Sequence, residues 1–307
     1  MKMNNKIASV LIITISIVLA SLFVIQTIFA ANLTSQVVVG SAAPTISGIT
    51  VNGGATITLT ANATTSINVN ATITDSNGCS EITTGTTVVL LYRSGVTSST
   101  CAGAPNSLNC YTVTAFTASS TCSAGTQNTT TTFQVQYFAQ ATDASSSFSG
   151  QTWLATVKFT TPDNTTGTGD SAGVTLNTLT AINVTTSTIN YGTITANTNT
   201  GSVNQTTTVT NVGNSSSSLQ VAAQSTLTSG ANSIATSSQA YSTSTFTYPG
   251  TSTALTASAV TIAGYTLTSP TSTANVSGTI FWGLAVPNTT PSGTYIGTNA
   301  FTALFHA

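Results

Sequence analysis

The chain has 307 residues and a mass of 30.9 kDa, with four Lys/Arg, five Asp/Glu and one His. Charged residues are 3% of it, against about a quarter in ordinary soluble domains. This excludes a nucleic-acid partner, because phosphate binding needs clustered Lys and Arg, and it leaves little with which to build acid–base catalysis. In place of charge stand 40 Ser, 69 Thr and 24 Asn.

Taken in chain order, Met1–Lys6 is a short basic segment and residues 7–30 form an uncharged, mostly apolar run. Residues 1–31 read as a signal peptide ending at Phe29-Ala30-Ala31, although Ile28 is a poor match at the −3 position. The alternative is a retained N-terminal membrane anchor, since the run is long enough to span hydrocarbon as a helix. Either reading puts Asn32 onward in an extracellular or cell-surface location. Residues 32–43 read as an extended linker carrying Val37, Val38 and Val39. They are either a spacer or a donor strand for another chain's sheet edge.

From Pro44 the pattern has period two. Ile67, Val69, Ala71 and Ile73 share one face of a strand, as do Phe133, Val135 and Tyr137, and then Trp153, Ala155, Val157 and Phe159. A first domain is expected over 44–178, with strands near 46–52, 56–61, 65–75, 86–93, 110–118, 131–139, 152–161 and 173–178. A second over 179–307 has strands near 181–185, 188–194, 204–211, 218–224, 244–248, 258–267, 275–286 and 294–305. Ile280, Trp282, Leu284 and Val286 form one apolar face there, and Phe301, Ala303 and Phe305 another. No helical repeat is visible outside the leader. The fold class is all-β: two tandem immunoglobulin-like or Greek-key β-sandwiches after an N-terminal hydrophobic helix.

The four cysteines lie between Cys79 and Cys122 with no C-x-x-C pair and no nearby His, which favours two disulfides in an oxidising compartment over zinc. If the strands near 86–93 and 110–118 are antiparallel neighbours, Cys101 and Cys110 lie at one end of the sandwich, and Cys79 and Cys122 at the other. The expected pairs are therefore Cys101–Cys110 and Cys79–Cys122.

Candidate chemistry is sparse. Asp75, Asn77 and Glu81 have a partial look of a calcium loop, as oxygen ligands from a turn, but the EF-hand spacing fails. Asp163 and Asp170 flank a Gly/Thr-rich hairpin tip, where they could face each other across a cation. The competing reading is a plain Asx-Gly turn for the first and a polar hairpin tip for the second. No cleft for a glycosidase pair is evident. His306 stands on an expected frayed strand end, and the glycines near Val51 lack the helix and Lys of a phosphate cradle. The expectation is no catalysis, no cofactor and no resident metal. Ten N-x-S/T sequons occur, close to the number expected by chance at this composition, so glycosylation rests only on the need to solubilise an uncharged surface.

The stretches Pro44-Thr-Ile-Ser-Gly-Ile-Thr-Val-Asn, Thr74-Asp-Ser-Asn-Gly-Cys and Trp153-Leu-Ala-Thr-Val-Lys-Phe-Thr-Thr resemble the Ig-like domains of prokaryotic secreted and cell-surface proteins. So do Thr208-Val-Thr-Asn-Val-Gly-Asn and Val286-Pro-Asn-Thr-Thr-Pro-Ser-Gly-Thr-Tyr-Ile-Gly. The resemblance implies an extracellular structural or adhesive module and brings no catalytic residues. The function expected is a structural component of an envelope layer or appendage, with an adhesin or glycan-binding module as one alternative and a pilin-like or donor-strand filament subunit as another. Its partners are further copies of itself, other surface proteins or glycans, and a membrane only through residues 7–30 if the leader stays.

Overall fold

The computed structural model describes residues 9–10, 13–17, 34–271 and 274–306. Residues 9–10 and 13–17 are helical, and the rest of the expected leader lies outside the described residues. No described helix is long and apolar enough to cross a membrane. Residues 34–40 carry no regular structure, and Val37, Val38 and Val39 are 83%, 84% and 76% exposed.

From Ser41 the chain is one compact unit of antiparallel sheets, all-β as its alternation requires. Its earlier strands are β1 (Thr45–Val51), β2 (Thr64–Thr74), β3 (Thr86–Arg93), β4 (Cys110–Val113), β5 (Thr117–Ala118), β6 (Thr126–Gln136), β7 (Trp153–Thr160) and β8 (Thr166–Asp170). One sheet runs β1-β2-β6-β5 and the facing one β4-β3-β7-β8. That is the A-B-E-D and C′-C-F-G arrangement of an immunoglobulin sandwich with an added C′ strand. Ile67, Val69, Phe133, Val135, Leu91, Trp153, Ala155 and Val157 fill the space between the sheets. The outer face of β2 and β6 is tied by side chains without charge: Thr72 donates to Asn128 (2.9 Å), Thr130 to Asn70 (2.8 Å) and Thr132 to Asn68 (2.8 Å).

The later strands are β9 (Ile182–Val184), β10 (Thr198–Asn199), β11 (Gln205–Asn211), β12 (Ser217–Ala223), β13 (Leu227–Ser229), β14 (Asn232–Ile234), β15 (Gln239–Ser242), β16 (Thr253–Ala254), β17 (Val260–Leu267), β18 (Val276–Val286) and β19 (Asn299–Phe305). Their main sheets run β16-β15-β18-β11-β9 and β17-β12-β19, with β10 on the end of β18 and β13-β14 as a separate hairpin. Val209, Leu219, Val221, Ile280 and Trp282 lie between them. Both tryptophans are fully buried; Trp153 Nε1 donates to Gln140 O (2.9 Å) and Trp282 Nε1 to Thr207 Oγ1 (3.0 Å).

Among the described residues no sheet mixes strands from before and after residue 178. The two sandwiches meet at a packed junction, where Leu108, Tyr137 and Phe138 touch Val212 beside Leu179 and Ala181. The buried Asn214 amide closes it, donating to Ala139 O (2.9 Å) and Asn177 O (3.1 Å) and accepting from Leu179 N (2.6 Å). Such a glycan acceptor would have to leave this site to be modified, so the Asn214 sequon is closed in the fold. Asp143, passed over in the sequence, holds Thr178 through its N–H and hydroxyl, each at 2.6 Å.

Several expected elements differ. Residues 56–61 and 173–178 form only the isolated bridges Ile57–Leu176 and Trp153–Val174 rather than strands, although Ile57, Leu59 and Leu176 are buried as expected of core residues. Residues 188–194 and 244–248 are irregular. Strand β8 occupies a stretch that reads as a Gly/Thr turn, because its inward Gly167 and Gly169 lie against Pro44 and Ile46 and leave no room for a Cβ. Two six-residue helices, α1 (Cys79–Thr84) and α2 (Ser98–Gly103), stand where none is expected; both are too short to show a helical period.

Candidate functional site

The structure places the candidate residues as follows. Cys79, opening α1, is joined to Cys122 (Cα–Cα 5.7 Å), and Cys101, in α2, to Cys110 at the start of β4 (5.5 Å). Asp75 is buried at the end of β2; one carboxylate oxygen accepts from Asn77 N (2.8 Å), and the other is buried without a hydrogen bond. Asn77 Oδ1 accepts from Ala42 N (2.6 Å) and Glu81 from Ser41 Oγ (2.8 Å), so this loop fastens the start of the first sandwich. Among the described residues no group of three His, Cys, Asp or Glu converges as metal ligands.

Asp163 and Asp170 do not face each other. The hairpin closes at Thr160–Thr166, and Asp170 stands opposite Thr156 at the far end of β8, accepting from its hydroxyl (2.5 Å). Four residues of strand separate that pair from the turn holding Asp163, roughly 13 Å. His306 is not frayed: its N–H donates to Ser216 O (3.0 Å) and its ring sits 3.0 Å from Ser218 Oγ.

The feature that stands out is one edge of the second sandwich. In the first, β7 is flanked by β3 and β8; in the second, among the described residues, β19 pairs with β12 alone. The ladder bonds at both ends, Gln224 N to Thr298 O (2.7 Å) and His306 N to Ser216 O (3.0 Å), fix which residues bond to β12. Even-numbered residues of β19 face β12, so by antiparallel alternation the backbone N–H and C=O groups of Asn299, Phe301, Ala303 and Phe305 point to the open side. The apolar face expected at Phe301, Ala303 and Phe305 is accordingly only half covered, and Phe305 is 43% exposed.

Beside this edge lies a cavity of about 1020 Å³, bounded across from β19 by the irregular segment after β9. Ile189, Tyr191, Ile194, Leu284, Tyr295 and Phe301 supply its apolar wall, and among the described residues no charged side chain lines it. At its floor Gln239 Oε1 accepts from Tyr191 Oη (3.3 Å) and from Asn299 Nδ2 (3.1 Å). Burial, with Tyr248 adding to it, pushes the Tyr191 hydroxyl up and keeps it neutral. The other halves of both amides, Gln239 Nε2 and Asn299 Oδ1, are buried with no hydrogen-bond partner. Each such group costs about 1–3 kcal/mol while unpaired, so the wall is apolar but holds one free donor and one free acceptor. The sequence carried no signal for Gln239 or Asn299, and reading 188–194 as a strand concealed Tyr191.

No protein-family model matches the chain. No curated protein matches it. Among solved structures it is similar to the CsuC–CsuE chaperone-tip adhesion subunit pre-assembly complex from archaic chaperone-usher Csu pili of Acinetobacter baumannii. That likeness has 10% identity, covers 82% of this chain and 97% of that one, and has a TM-score of 0.36. A 1.5-MDa bacterial ice-binding adhesin (10% identity, 81% and 67% coverage, TM-score 0.24) and Escherichia coli alpha-2-macroglobulin activated by porcine elastase (10%, 85% and 22%, 0.25) are also similar. These are bacterial surface or secreted proteins with β-sandwich folds, and likeness at this level says nothing of what this chain does.

Proposed function

We propose that the chain is a non-catalytic structural component of a cell surface or extracellular assembly, and that it associates by accepting an extended strand from another polypeptide along β19. The observation that carries this reading is the open edge: outward backbone groups at Asn299, Phe301, Ala303 and Phe305 beside an uncharged cavity. Such an edge is a template for strand addition, in which main-chain bonds supply affinity and alternate side chains enter pockets. The two disulfides suit an oxidising, extracellular compartment. The dispersal of the carboxylates, with Asp143 at the junction and Asp163 and Asp170 at opposite ends of β8, favours structure over acid–base chemistry.

The test is Ala303→Pro. The N–H at 303 points to the open side, so proline there removes an edge donor and blocks an incoming strand while sparing the ladder to β12. Size-exclusion chromatography and negative-stain microscopy of the unsubstituted protein should show assemblies that the variant, folded by circular dichroism, does not form. An unsubstituted protein that stays monomeric at high concentration and binds a neutral glycan array overturns this reading in favour of an adhesin.

A further inference from the structure

We propose that the strand completing the second sandwich is Thr34–Val39 of a second copy of this chain, so that copies join head to tail. This rests on the reading above that the β19 edge accepts a strand, and it names the occupant.

Four observations converge on that segment. Val37, Val38 and Val39 are β-branched, almost fully exposed and without regular structure. There is no charged residue between Lys6 and Asp75, which matches a cavity that no charged side chain lines. In an extended strand Ser35, Val37 and Val39 share one face, so two valines and a hydroxyl enter the cavity together while Gln36 and Val38 stay outside. The incoming backbone carries both donors and acceptors, as Gln239 Nε2 and Asn299 Oδ1 require. The first sandwich shows the complementary solution. Its own β8 is five residues long and turns Gly167 and Gly169 inward where Pro44 and Ile46 already fill the space. The second sandwich has space at that position and no strand of its own among the described residues.

The reach of the chain decides between the same copy and another. Ser41 and Ala42 are fastened to Glu81 and Asn77, just past the end of β2. The opposite end of β2 is near the junction, where Asn62 N donates to Val212 O (3.2 Å). The eleven residues of β2 span roughly 36 Å. The Asn299 end of β19 is the one turned away from that junction, since Phe305 is the end paired with Ser217 near it. Residues 34–40 reach at most about 25 Å from Ser41. That reach is shorter than β2 itself, which favours the cavity of a second copy as the one they enter. Donor and acceptor are different patches of one copy, so the contact is heterologous and propagates head to tail instead of closing as a two-fold dimer.

Two variants of the protein test this, each disabling one half. V37D/V39D spoils the donor at exposed positions and keeps the acceptor; A303P does the reverse. Neither should assemble alone, and mixing them should give a 1:1 dimer that grows no further by light scattering. A fluorescent peptide of residues 34–43 should bind V37D/V39D and lose affinity about tenfold or more when A303P is added to that protein. If A303P blocks assembly while V37D/V39D assembles normally, another strand occupies the edge and this proposal falls, while the edge reading stands. If both variants assemble like the unsubstituted protein, both ideas fall. Failure of the peptide to bind V37D/V39D overturns the proposal whether or not A303P folds.

Discussion

The two sandwiches follow one plan to different ends. The order β9-β11-β18-β15 repeats β1-β2-β6-β5, and β17-β12-β19 repeats β4-β3-β7, although the second chain path visits β15 before β17. The first sandwich is finished: β8 covers β7, and two disulfides staple the loops at its opposite ends. The second has neither staple nor covering strand among its described residues, yet its central core is as dry, with Trp282 as buried as Trp153. A sandwich core therefore does not need its last strand to exclude water from its centre; what the strand supplies is a satisfied edge.

The strongest way to break that comparison is at the tryptophans. Trp153→Ala and Trp282→Ala should each cost about 3–5 kcal/mol in chemical denaturation if both cores are equally packed. A cost below about 1 kcal/mol at Trp282, set against the full cost at Trp153, would show that the open edge loosens the second core after all.

The staples come next. Cys79–Cys122 closes 43 residues and Cys101–Cys110 closes nine. From loop-closure entropy, replacing the first pair by serine should cost about 4 kcal/mol and the second about 2.5 kcal/mol. Both losses should fall on the first sandwich. With Trp282→Phe the remaining Trp153 reports that sandwich, and with Trp153→Phe, Trp282 reports the other. The midpoint read by Trp153 should drop on reduction, and coincident drops in both would mean the Asn214 junction couples the sandwiches into one cooperative unit.

The smallest effect near neutral pH should come from tyrosines. Burial raises Tyr111 and Tyr137 in the first sandwich, and Tyr191, Tyr241, Tyr248 and Tyr265 in the second. Tyr265, whose hydroxyl lies over Gly278, is pushed up to about 12. A raised pKa means the folded state keeps a proton that the unfolded chain gives up near 10. The stabilisation is complete below pH 10 and is lost as pH climbs from there towards 12. With four such groups against two, the second sandwich should unfold at the lower pH in an alkaline titration followed by the single-tryptophan proteins. The reverse order would mean that the stapled sandwich is the weaker one.

The elements legible in the sequence are those where alternation and burial coincide. Ile67 to Ile73 in β2 bury every second residue, and β18 buries Ile280, Trp282 and Leu284 on one face, with Gly283 also buried between the last two. Trp153, Val157 and Phe159 do the same in β7, with Lys158 exposed between them. Alternation failed for β8, because glycines that make room for Pro44 carry no hydrophobic signal. It misled at 188–194, where Ile189, Tyr191 and Ile194 turn toward a cavity instead of a paired strand. It was silent on the open edge, because a missing neighbour leaves no mark on the strand that lacks it. Phe301 and Phe305 read the same whether covered or bare.

The uncharged ladder on β2 and β6 has a further consequence. Thr–Asn pairs bond as dipoles at contact distance, and Arg93 is held by the neutral Gln140 and Gln151 amides and the Phe148 ring. Dissolved ions weaken interactions between charges over a Debye length of about 8 Å in physiological saline and about 3 Å in molar salt. Contacts between hydroxyls, amides and a ring give those ions almost nothing to screen. The stability they lend the first sandwich should be nearly the same in fresh water and in brine.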